Sequence, residues 1–324
     1  MKYFITGATG FIGGRLVRQL REARHEVIAV VRNPARAQDL AQLGVILHQG
    51  DVTEKESMRK PMTGVDGVFH VAGWYKVGVR DKSQAYTINV KGTRNVLELM
   101  KELKIPKGVY TSTLAINSDT HGVEADENYY FNGKHISVYD QTKAEAHDVA
   151  VKMIKDGLPL VIVQPGLVYG PGDTSSVRTS FIQYLKKQLP VMPMQTAFSW
   201  AHVDDIAHAH WLAMETGKVG ESYNICGPTY TFTDALEVAK EITGVRLPMA
   251  VPAGMIRVMS AMMVVFDKFI PVPESYTSEG LRVIAGVTYI GTNSKAKHEL
   301  GYDPRPLKEG LTETLQHEMK LLGM

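Results

Sequence analysis

The stretch that decides the fold is MKYFITGATGFIGGRLVRQL, residues 1–20. Tyr3–Thr6 is an apolar run that predicts a β-strand, and the residues from Ile12 onward place apolar side chains at helical spacing. Four glycines lie between or at the edge of these elements, at positions 7, 10, 13 and 14. Because glycine costs conformational entropy and packs nothing, the cluster indicates that something lies against the backbone. Strand, glycine turn and helix in this order predict a dinucleotide site, with a phosphate at the helix N-terminus.

Short apolar runs alternate with helical patterns through the first two-thirds of the chain. The predicted strands are Tyr3–Thr6, Val27–Val31, Val45–His48, Gly67–Val71, Gly108–Thr111, Leu160–Val163 and, later, Ser222–Ile225; helices are predicted at 93–103, at 139–155 and from about Asp204. This alternation predicts an α/β fold, a Rossmann-type doubly wound parallel sheet with a smaller, discontinuous C-terminal substrate domain. We expect residues 1–166 plus about 200–227 to form the dinucleotide-binding domain. Residues from about 167–199 plus 228–324 would form the substrate-binding domain.

Composition narrows the class of protein. Of 324 residues, 44% are hydrophobic and 22% charged, and the net charge of +2 gives no basic field for nucleic acid. A single cysteine, Cys226, excludes an internal disulfide framework and suits a reducing compartment. The N-terminus lacks the pattern of a signal peptide. The most apolar stretch, Val258–Phe266, is shorter than the roughly 20 residues that span a bilayer. We therefore expect a cytoplasmic protein with no membrane span and no nucleic-acid partner.

The end of the second predicted strand bears on which dinucleotide is bound. NAD sites usually carry an acidic residue there for the ribose hydroxyls, whereas this chain has Val31 and Arg32. An arginine can pair with a 2′-phosphate, and Arg36 lies one turn later. The sequence favours NADP(H), with NAD(H) possible and an ordinary surface arginine as the alternative. Asp51, in the stretch GDVT, could accept a hydrogen bond from the adenine amine.

Two further stretches carry chemistry. Hydroxyls at positions 111–113 follow a predicted strand, at the edge where α/β folds bind ligands. Tyr139 and Lys143 lie four residues apart on a predicted helix and so share one face. A nearby ammonium and an oxidised nicotinamide would favour the phenolate and lower the pKa of the tyrosine. The phenol could then transfer a proton near neutral pH while a hydroxyl holds the substrate oxygen.

Together these residues resemble the extended short-chain dehydrogenase/reductase family, within the NAD-dependent epimerase/dehydratase superfamily. The resemblance covers almost the whole chain, in TGATGFIG (6–13), GDVT (50–53), FHVAG (69–73), NVKGTRNVLE (89–98), YTST (110–113), YDQTK (139–143), QPGLVYGPGD (164–173) and WAHVDDIAHA (200–209). It implies that Tyr139 is the general acid/base and that Lys143 binds the nicotinamide ribose and lowers the tyrosine pKa. It also implies that Thr113, with Ser112 beside it, contacts the substrate oxygen.

The resemblance and the motifs give a set of expected site residues. Those expected to bind the cofactor are Gly7, Thr9, Gly10, Phe11, Ile12, Gly13, Arg32, Arg36, Asp51, Val52, Val71, Ala72, Gly73, Thr111, Tyr139, Lys143, Pro165, Gly166, Leu167 and Val168. Those expected to contact the substrate are Trp74, Tyr75, Thr113, Leu114 and Tyr169.

One position separates branches of this family. Nucleotide-sugar enzymes usually have an asparagine where this chain has Leu167, and their usual arginine is replaced by Gln164. Both changes resemble the dihydroflavonol-4-reductase and 3β-hydroxysteroid-dehydrogenase branch, although Leu167 could simply belong to the core. We therefore expect an NADP(H)-dependent oxidoreductase that reduces a ketone or aldehyde of a fairly apolar small molecule, or oxidises the alcohol.

The sequence leaves two alternative functions open and allows an expectation about the oligomeric state. The alternatives are a nucleotide-sugar epimerase or dehydratase using bound NAD(P), and a non-catalytic NADP-sensing regulator. The resemblance implies a homodimer paired through the helices at 93–103 and 139–155.

Two groups of residues are discounted as sites. His208 and His210 point to different sides of a predicted helix, so no metal is expected; His202 and Asp205 are expected to be hydrogen-bonded scaffold. Methionines at 255, 259, 262 and 263 have helical spacing. Core packing is the first interpretation of these methionines, a wall of an apolar pocket the second and a membrane-surface helix the third.

Overall fold

The computed structural model describes residues 1–267, 269 and 272–324. Its strands are β1 (Lys2–Thr6), β2 (Glu26–Val31), β3 (Ile46–Gln49), β4 (Gly67–His70), β5 (Gly108–Thr111), β6 (Leu160–Pro165), β7 (Leu167–Tyr169), β8 (Val191–Pro193), β9 (Ala197–His202), β10 (Ser222–Ile225), β11 (Thr229–Thr231), β12 (Met249–Val251) and β13 (Thr288–Tyr289).

Helices connect most of these strands. They are α1 (Phe11–Glu22), α2 (Gln38–Gln42), α3 (Lys55–Met62), α4 (Ser83–Tyr86), α5 (Thr93–Glu102), α6 (Val138–Lys155), α7 (Ser176–Leu185), α8 (Val203–Glu215), α9 (Phe232–Thr243), α10 (Ala253–Phe266), α11 (Ser278–Arg282), α12 (Ser294–Leu300) and α13 (Leu307–Leu321). A π-helical turn at Thr87–Gly92 joins α4 to α5, and a short 3₁₀ helix at Leu114–Asn117 follows β5.

Seven parallel strands form the central sheet, in the order β10-β6-β5-β4-β1-β2-β3. Strands β2 and β3 lie on one side of β1, and β4 and the later strands lie on its other side, so the strand order switches between β1 and β4. Doubly wound folds bind nucleotides at this switch point. Every residue of β4, β5 and β6 is buried, because helices cover both faces. One core packs α1 and α8 against the sheet, and the other packs α3, α5 and α6. The predicted Rossmann-type fold is confirmed.

A second, smaller set of strands lies after β6. Strand β9 pairs with β7, β11 and β13, and β8 pairs with β12. A third hydrophobic core lies here, between β9 and helices α7, α9 and α13, with Trp200 among its fully buried side chains. The late strand Ser222–Ile225 joins the central sheet as predicted. The division into domains at residues 166, 200 and 227 stays a prediction; three residues of its last segment lie outside the described residues.

The methionine-rich helix corrects one expectation. Core packing was the first interpretation, but on α10 Met255, Met259 and Met262 are 59%, 38% and 52% exposed, and only Met263 is partly buried against a core. Helical spacing predicts the helix correctly, but burial depends on what packs against it. None of the described helices has both the length and the hydropathy needed to span a bilayer.

Candidate active site

The glycine turn between β1 and α1 forms the floor of the candidate site. Gly7 has φ +76°, and a Cβ there would lie 2.6 Å from the backbone nitrogen of Ala72. A Cβ on Gly13 would lie 2.2 Å from the carbonyl oxygen of Gly7. These two positions therefore require glycine for the close approach of β1, α1 and the residues after β4. Thr9 and Gly10, by contrast, are exposed at the tip of the turn.

Helix α1 opens toward this tip. Gly10 is its N-cap, no side chain caps the helix, and its first turn has no acidic residue. The N–H groups and the positive end of the dipole there favour an anion. Phe11 and Ile12 are half-buried beside them. The turn is therefore a cradle that fits the pyrophosphate of a dinucleotide.

Arg32 and Arg36 lie next to this cradle along the sheet edge. Arg32 directly follows β2 and is exposed, and Arg36 is exposed at the end of a short 3₁₀ helix, Pro34–Arg36. Among the side chains that the structure describes, neither arginine contacts a carboxylate. Both guanidinium groups therefore have donors available for a bound phosphate.

Asp51 and Val52 follow β3 on the same edge. One carboxylate oxygen of Asp51, Oδ1, accepts hydrogen bonds from the backbone N–H and hydroxyl of Thr53 at 2.8 and 2.9 Å. Val52 is buried, and its carbonyl accepts from Asn95. Oδ2 of Asp51 accepts no hydrogen bond from the residues that the structure describes and could accept one from an adenine amine.

The residues after β4 face the cradle from the other side. Val71 and Ala72 are half-buried, and the Ala72 N–H donates to the Thr6 hydroxyl. Gly73 is exposed, and a Cβ on it would lie 4.0 Å from Nζ of Lys143. The glycine turn and the lysine predicted to hold the nicotinamide ribose therefore border one space.

Thr113 and Tyr139 meet at the carboxyl end of β5. Ser137 caps helix α6, accepting from the Asp140 N–H, and this places Tyr139 in the first turn. The Thr113 hydroxyl lies near the Tyr139 phenol and lowers its pKa, while the Thr113 hydroxyl oxygen accepts the backbone N–H of Ala115 at 3.1 Å. A carbonyl oxygen placed between these two hydroxyls would be in reach of both.

Lys143 lies one turn further along α6 and is 5% exposed. Its Nζ donates to the carbonyl oxygen of Thr111 at 2.8 Å and to the phenol of Tyr110 at 3.4 Å. Burial lowers the pKa of Lys143 to about 7. The lysine is thus oriented by the strand end beneath the site.

The electrostatics of Tyr139 differ from the expectation. Burial raises the pKa of its phenol to about 12; the Thr113 hydrogen bond opposes this rise, and the Asp140 charge adds to it. Lys143 is not among the groups that shift it. Because the lysine donates to Thr111 and Tyr110, the protein alone does not lower the tyrosine pKa.

The three hydroxyls at 111–113 have separate partners. Thr111 is hydrogen-bonded to His210 Nε2 at 2.8 Å, and Ser112 to His147 Nδ1 at 2.9 Å. Burial lowers the pKa of each histidine to about 4, so both rings are neutral near pH 7. Of these three hydroxyls, Thr113 is the one that affects the pKa of Tyr139, and its contact with the substrate oxygen stays a prediction.

Asn89 is a site residue that the sequence reasoning missed. From the π-helical turn, its side chain accepts from the Trp74 N–H at 2.7 Å and donates to the Trp74 carbonyl and the Thr142 hydroxyl, both at 2.9 Å. It thus ties the chain after β4 to α6 between Tyr139 and Lys143. Asn89 is the first residue of the motif NVKGTRNVLE, and this motif is the sequence signal that marks it.

Two of the expected substrate contacts, Tyr169 and Leu114, are buried side chains. Tyr169 is 1% exposed and packs against Trp200 and His202 in the third core. Leu114 is also 1% exposed and lies against Gly291. Both side chains are packed inside the protein, and their contacts with a substrate stay predictions.

The other residues of these stretches are better placed for binding. Trp74 is largely buried, and Tyr75 is exposed with its hydroxyl on Thr174 at 2.9 Å. Leu167 and Val168 are half-buried in β7. Pro165 ends β6, and a Cβ on Gly166 would lie 2.2 Å from the Ser199 carbonyl, so this position requires glycine. Their contacts with cofactor or substrate stay predictions.

A cluster on α8 and α13 resembles a metal site. His202, Asp204 and Glu313 bring their ligand atoms within 4.8 Å of one another. Both carboxylates already have cationic partners, since Arg15 lies 3.4 Å from Asp204 and Arg305 lies 3.1 Å from Glu313. Arg305 also makes a paired contact with Asp205. The cluster is therefore a charge network that joins α8 to the C-terminal helix.

Comparison with known proteins identifies the family. A sequence model of the NAD dependent epimerase/dehydratase family matches residues 3–226. The chain belongs to this family. The chain is therefore an NAD(P)-dependent oxidoreductase of the extended short-chain dehydrogenase/reductase type.

Individual relatives include reductases. The chain is 31% identical to the Synechocystis sp. protein named "Putative dihydroflavonol 4-reductase", over 97% of this chain and 93% of that one. It is 26% identical to sterol demethylase protein B of Methylococcus capsulatus, over 97% of each. Among solved structures, the crystal structure of gox2253 superposes with a TM-score of 0.85 at 28% identity, covering 99% of this chain and 98% of that one.

Proposed function

We propose that this protein reduces a ketone or aldehyde of a fairly apolar small molecule with NADPH, or oxidises the corresponding alcohol with NADP⁺. The Thr113 hydroxyl beside the Tyr139 phenol, with Lys143 one turn further along α6, is the observation that carries the proposal. It places a proton donor and an oxygen-binding hydroxyl together at the carboxyl end of β5. The proposal is also supported by the reductase names among the relatives.

The chain's own residues account for the handling of the proton. NADP(H), when bound, supplies or accepts the hydride. In the reductive direction Tyr139 would donate its proton to the carbonyl oxygen as that oxygen gains negative charge, and Thr113 would donate a hydrogen bond to the same oxygen. Lys143, as an ammonium, would favour the phenolate that remains. In the oxidative direction the same groups remove the proton from the alcohol.

Two arginines support NADP(H) over NAD(H). Arg32 stands where an acidic residue would hold the ribose of NAD, and Arg36 lies one turn later. Guanidinium groups bind phosphate through paired hydrogen bonds. We therefore expect a lower Kd for NADPH than for NADH when the two are compared by calorimetry.

Two positions support an apolar substrate. The Gln164 amide is buried and donates to Asn224 at 2.7 Å, so it is not available to a diphosphate. Leu167 is half-buried beside the third core and offers an apolar surface. A nucleotide sugar would need polar groups at both positions.

The test is an assay of purified protein with Tyr139→Phe as the decisive variant. NADPH oxidation is followed with benzaldehyde, ethyl 2-methyl-3-oxobutanoate and a 3-oxosteroid as carbonyl substrates. Tyr139→Phe should retain NADPH binding and lose about 10²- to 10⁴-fold in kcat, because only the proton donor is removed. A variant that retains most of the turnover would refute the proposed role of Tyr139.

The same protein separates the alternatives by thermal shift. A ligand at 100 times its Kd stabilises a protein by roughly 2.7 kcal/mol. The proposal predicts stabilisation by NADPH and none by UDP-glucose or UDP-glucuronic acid. Stabilisation by these sugars with NAD would favour an epimerase or dehydratase. Binding of NADPH without turnover of any carbonyl in the panel would favour a regulator.

A further inference from the structure

The first turn of α6 is held by a part of the chain outside the residues that the family model matches. Glu279, in α11, is 5% exposed. Its Oε1 accepts the backbone N–H of Val138 at 2.8 Å. Its Oε2 accepts the backbone N–H of Gly78 at 3.0 Å and lies 2.8 Å from Nζ of Lys82. One buried carboxylate thus joins three separate segments.

The contact with Val138 bears directly on the proton donor. Val138 is the first residue of α6 and immediately precedes Tyr139. The first N–H groups of a helix have no acceptor within it, and an anion there also interacts favourably with the helix dipole. Ser137 caps the Asp140 N–H, whereas the Val138 N–H finds its acceptor on α11. Glu279 therefore fixes the backbone next to the phenol.

The other oxygen holds the loop 74–82, which begins with Trp74 and Tyr75. Gly78 has φ +77°, and a Cβ on it would lie 2.2 Å from the Glu274 carbonyl oxygen. This loop therefore lies against the backbone of the same C-terminal segment. Through Glu279 its position is coupled to that of α6.

A second contact from the C-terminal segment holds the same helical turn. The Tyr289 hydroxyl donates to Asp140 Oδ2 at 3.1 Å. The Tyr289 ring stacks on Phe198, with centroids 5.8 Å apart and planes 1° from parallel. Tyr139 thus lies between Val138, whose backbone N–H is held by Glu279, and Asp140, whose carboxylate is held by Tyr289.

We propose that Glu279 is a positioning residue for the reaction: it sets the first turn of α6 and the loop 74–82 in one geometry, so that the C-terminal segment determines where the proton donor meets the substrate. This rests on the proposed role of Tyr139. Glutamine at position 279 would keep the size of the side chain. Its NH₂ group would, however, face one of the two backbone N–H groups that the carboxylate accepts, and Lys82 would lose its anionic partner. Small displacements of a positioned group can cost about 10²-fold in rate.

The experiment compares Glu279→Gln with wild type in two measurements. The first is kcat and KM for NADPH oxidation, with whichever carbonyl compound of the panel above wild type reduces fastest. The second is hydrogen exchange by mass spectrometry, which needs no substrate. We expect kcat to fall at least tenfold with the KM for NADPH within threefold of wild type. The rate of backbone amide hydrogen exchange should increase both in peptides covering 74–82 and in peptides covering 137–142.

Two further variants keep the test decisive. Tyr289→Phe removes one hydroxyl and keeps the ring; we expect a loss of three- to fivefold in kcat, with faster exchange in 137–142 but not in 74–82. Thr314→Val removes a buried hydroxyl of α13 that donates to the Gly310 carbonyl, and should lower Tm without changing kcat. If Glu279→Gln fails to fold, Glu279→Asp replaces it: the carboxylate remains but the side chain is one methylene shorter, so exchange should again rise in both segments.

Several results would overturn the proposal. One is a Glu279→Gln protein with a lower Tm but wild-type kcat per NADPH-binding site. Another is exchange that is unchanged in either segment of that variant, and a third is faster exchange in 74–82 of Tyr289→Phe, because the loop would then be coupled to α6 by something other than Glu279. If the whole panel is inert in wild type, the proposed function fails, while the exchange measurements still decide whether Glu279 couples the two segments.

Discussion

Two hydroxyls that are adjacent in sequence, those of Ser112 and Thr113, have different partners in the fold. Ser112 is 3% exposed and faces a histidine of α6, while Thr113 faces the phenol of Tyr139. The motif alone could not separate their roles, because both follow the same strand. After the strand ends at Thr111, the two side chains point to different partners, and only that of Thr113 lies beside the phenol.

This difference gives a prediction for a matched pair of variants. Thr113→Val should reduce kcat by roughly 10²-fold, because it removes a hydrogen-bond donor aimed at the developing oxyanion. Ser112→Ala should reduce kcat less than fivefold. Steady-state kinetics with NADPH and the best carbonyl substrate measures both. An equal loss in the two variants would contradict the assignment of Thr113.

Site residues whose contacts are with distant parts of the chain could not be predicted from the sequence. Tyr139 and Lys143 could be found because both lie within one helical turn. Glu279 contacts Val138 and Gly78, which lie 141 and 201 positions before it in the sequence. Local periodicity in the sequence cannot predict such contacts. Asn89 lies in the motif NVKGTRNVLE, but its hydrogen bonds to Trp74 and Thr142 depend on how the loop after β4 packs against α6.

At the scale of elements, the strand–turn–helix unit was predictable because glycine is required there for local reasons. The two core strands β5 and β10 begin and end where the apolar runs do. Helix α10 was predictable as a helix but not as an exposed one, since its pattern of methionines and valines is the same in either case. Exposure was decided by residues that are distant in sequence.

The turn allows a prediction with a control one residue away. A Cβ on Gly13 would clash with the Gly7 carbonyl at 2.2 Å, whereas one on Gly14 would meet the Ala8 carbonyl at 3.5 Å, an ordinary contact. Gly13→Ala should therefore lower the free energy of unfolding by 1–3 kcal/mol, as order-of-magnitude values for core overpacking suggest, and weaken NADPH binding. Gly14→Ala should raise it by roughly 0.5–1 kcal/mol, because alanine favours the helix.

Urea denaturation and NADPH titration would check this pair. The two variants differ by one position and one contact, so their effects should have opposite signs. Equal destabilisation of both would mean that the close approach of β1 and α1 does not depend on Gly13.

For the whole molecule, the buried carboxyl of Asp140 links stability to pH. Burial raises its pKa from 3.8 to about 6, against hydrogen bonds from Ser137, Tyr289 and Ser118 that lower it. Between pH 3.8 and about 6, the Asp140 carboxyl is therefore protonated in the folded state and ionised in the unfolded state. The contribution to stability is fully present below pH 3.8 and is lost as the pH rises to about 6, a change of about 3 kcal/mol.

Asp140→Asn should remove this dependence. The difference in the free energy of unfolding between the variant and wild type should grow in favour of the variant from pH 4 to pH 6 and stay constant above. Urea denaturation at several pH values measures the difference, in which the other carboxyls largely cancel. A difference that does not vary with pH would show that Asp140 is ionised throughout this range.

The close packing of Gly78 against the backbone of the C-terminal segment restricts how this enzyme could be re-engineered. A chimera that imports residues 228–324 from a relative would place a foreign chain against a loop shaped for Glu274 and Glu279. New specificity therefore has to be transplanted as a pair of segments, 74–82 together with 274–290, rather than as a C-terminal module.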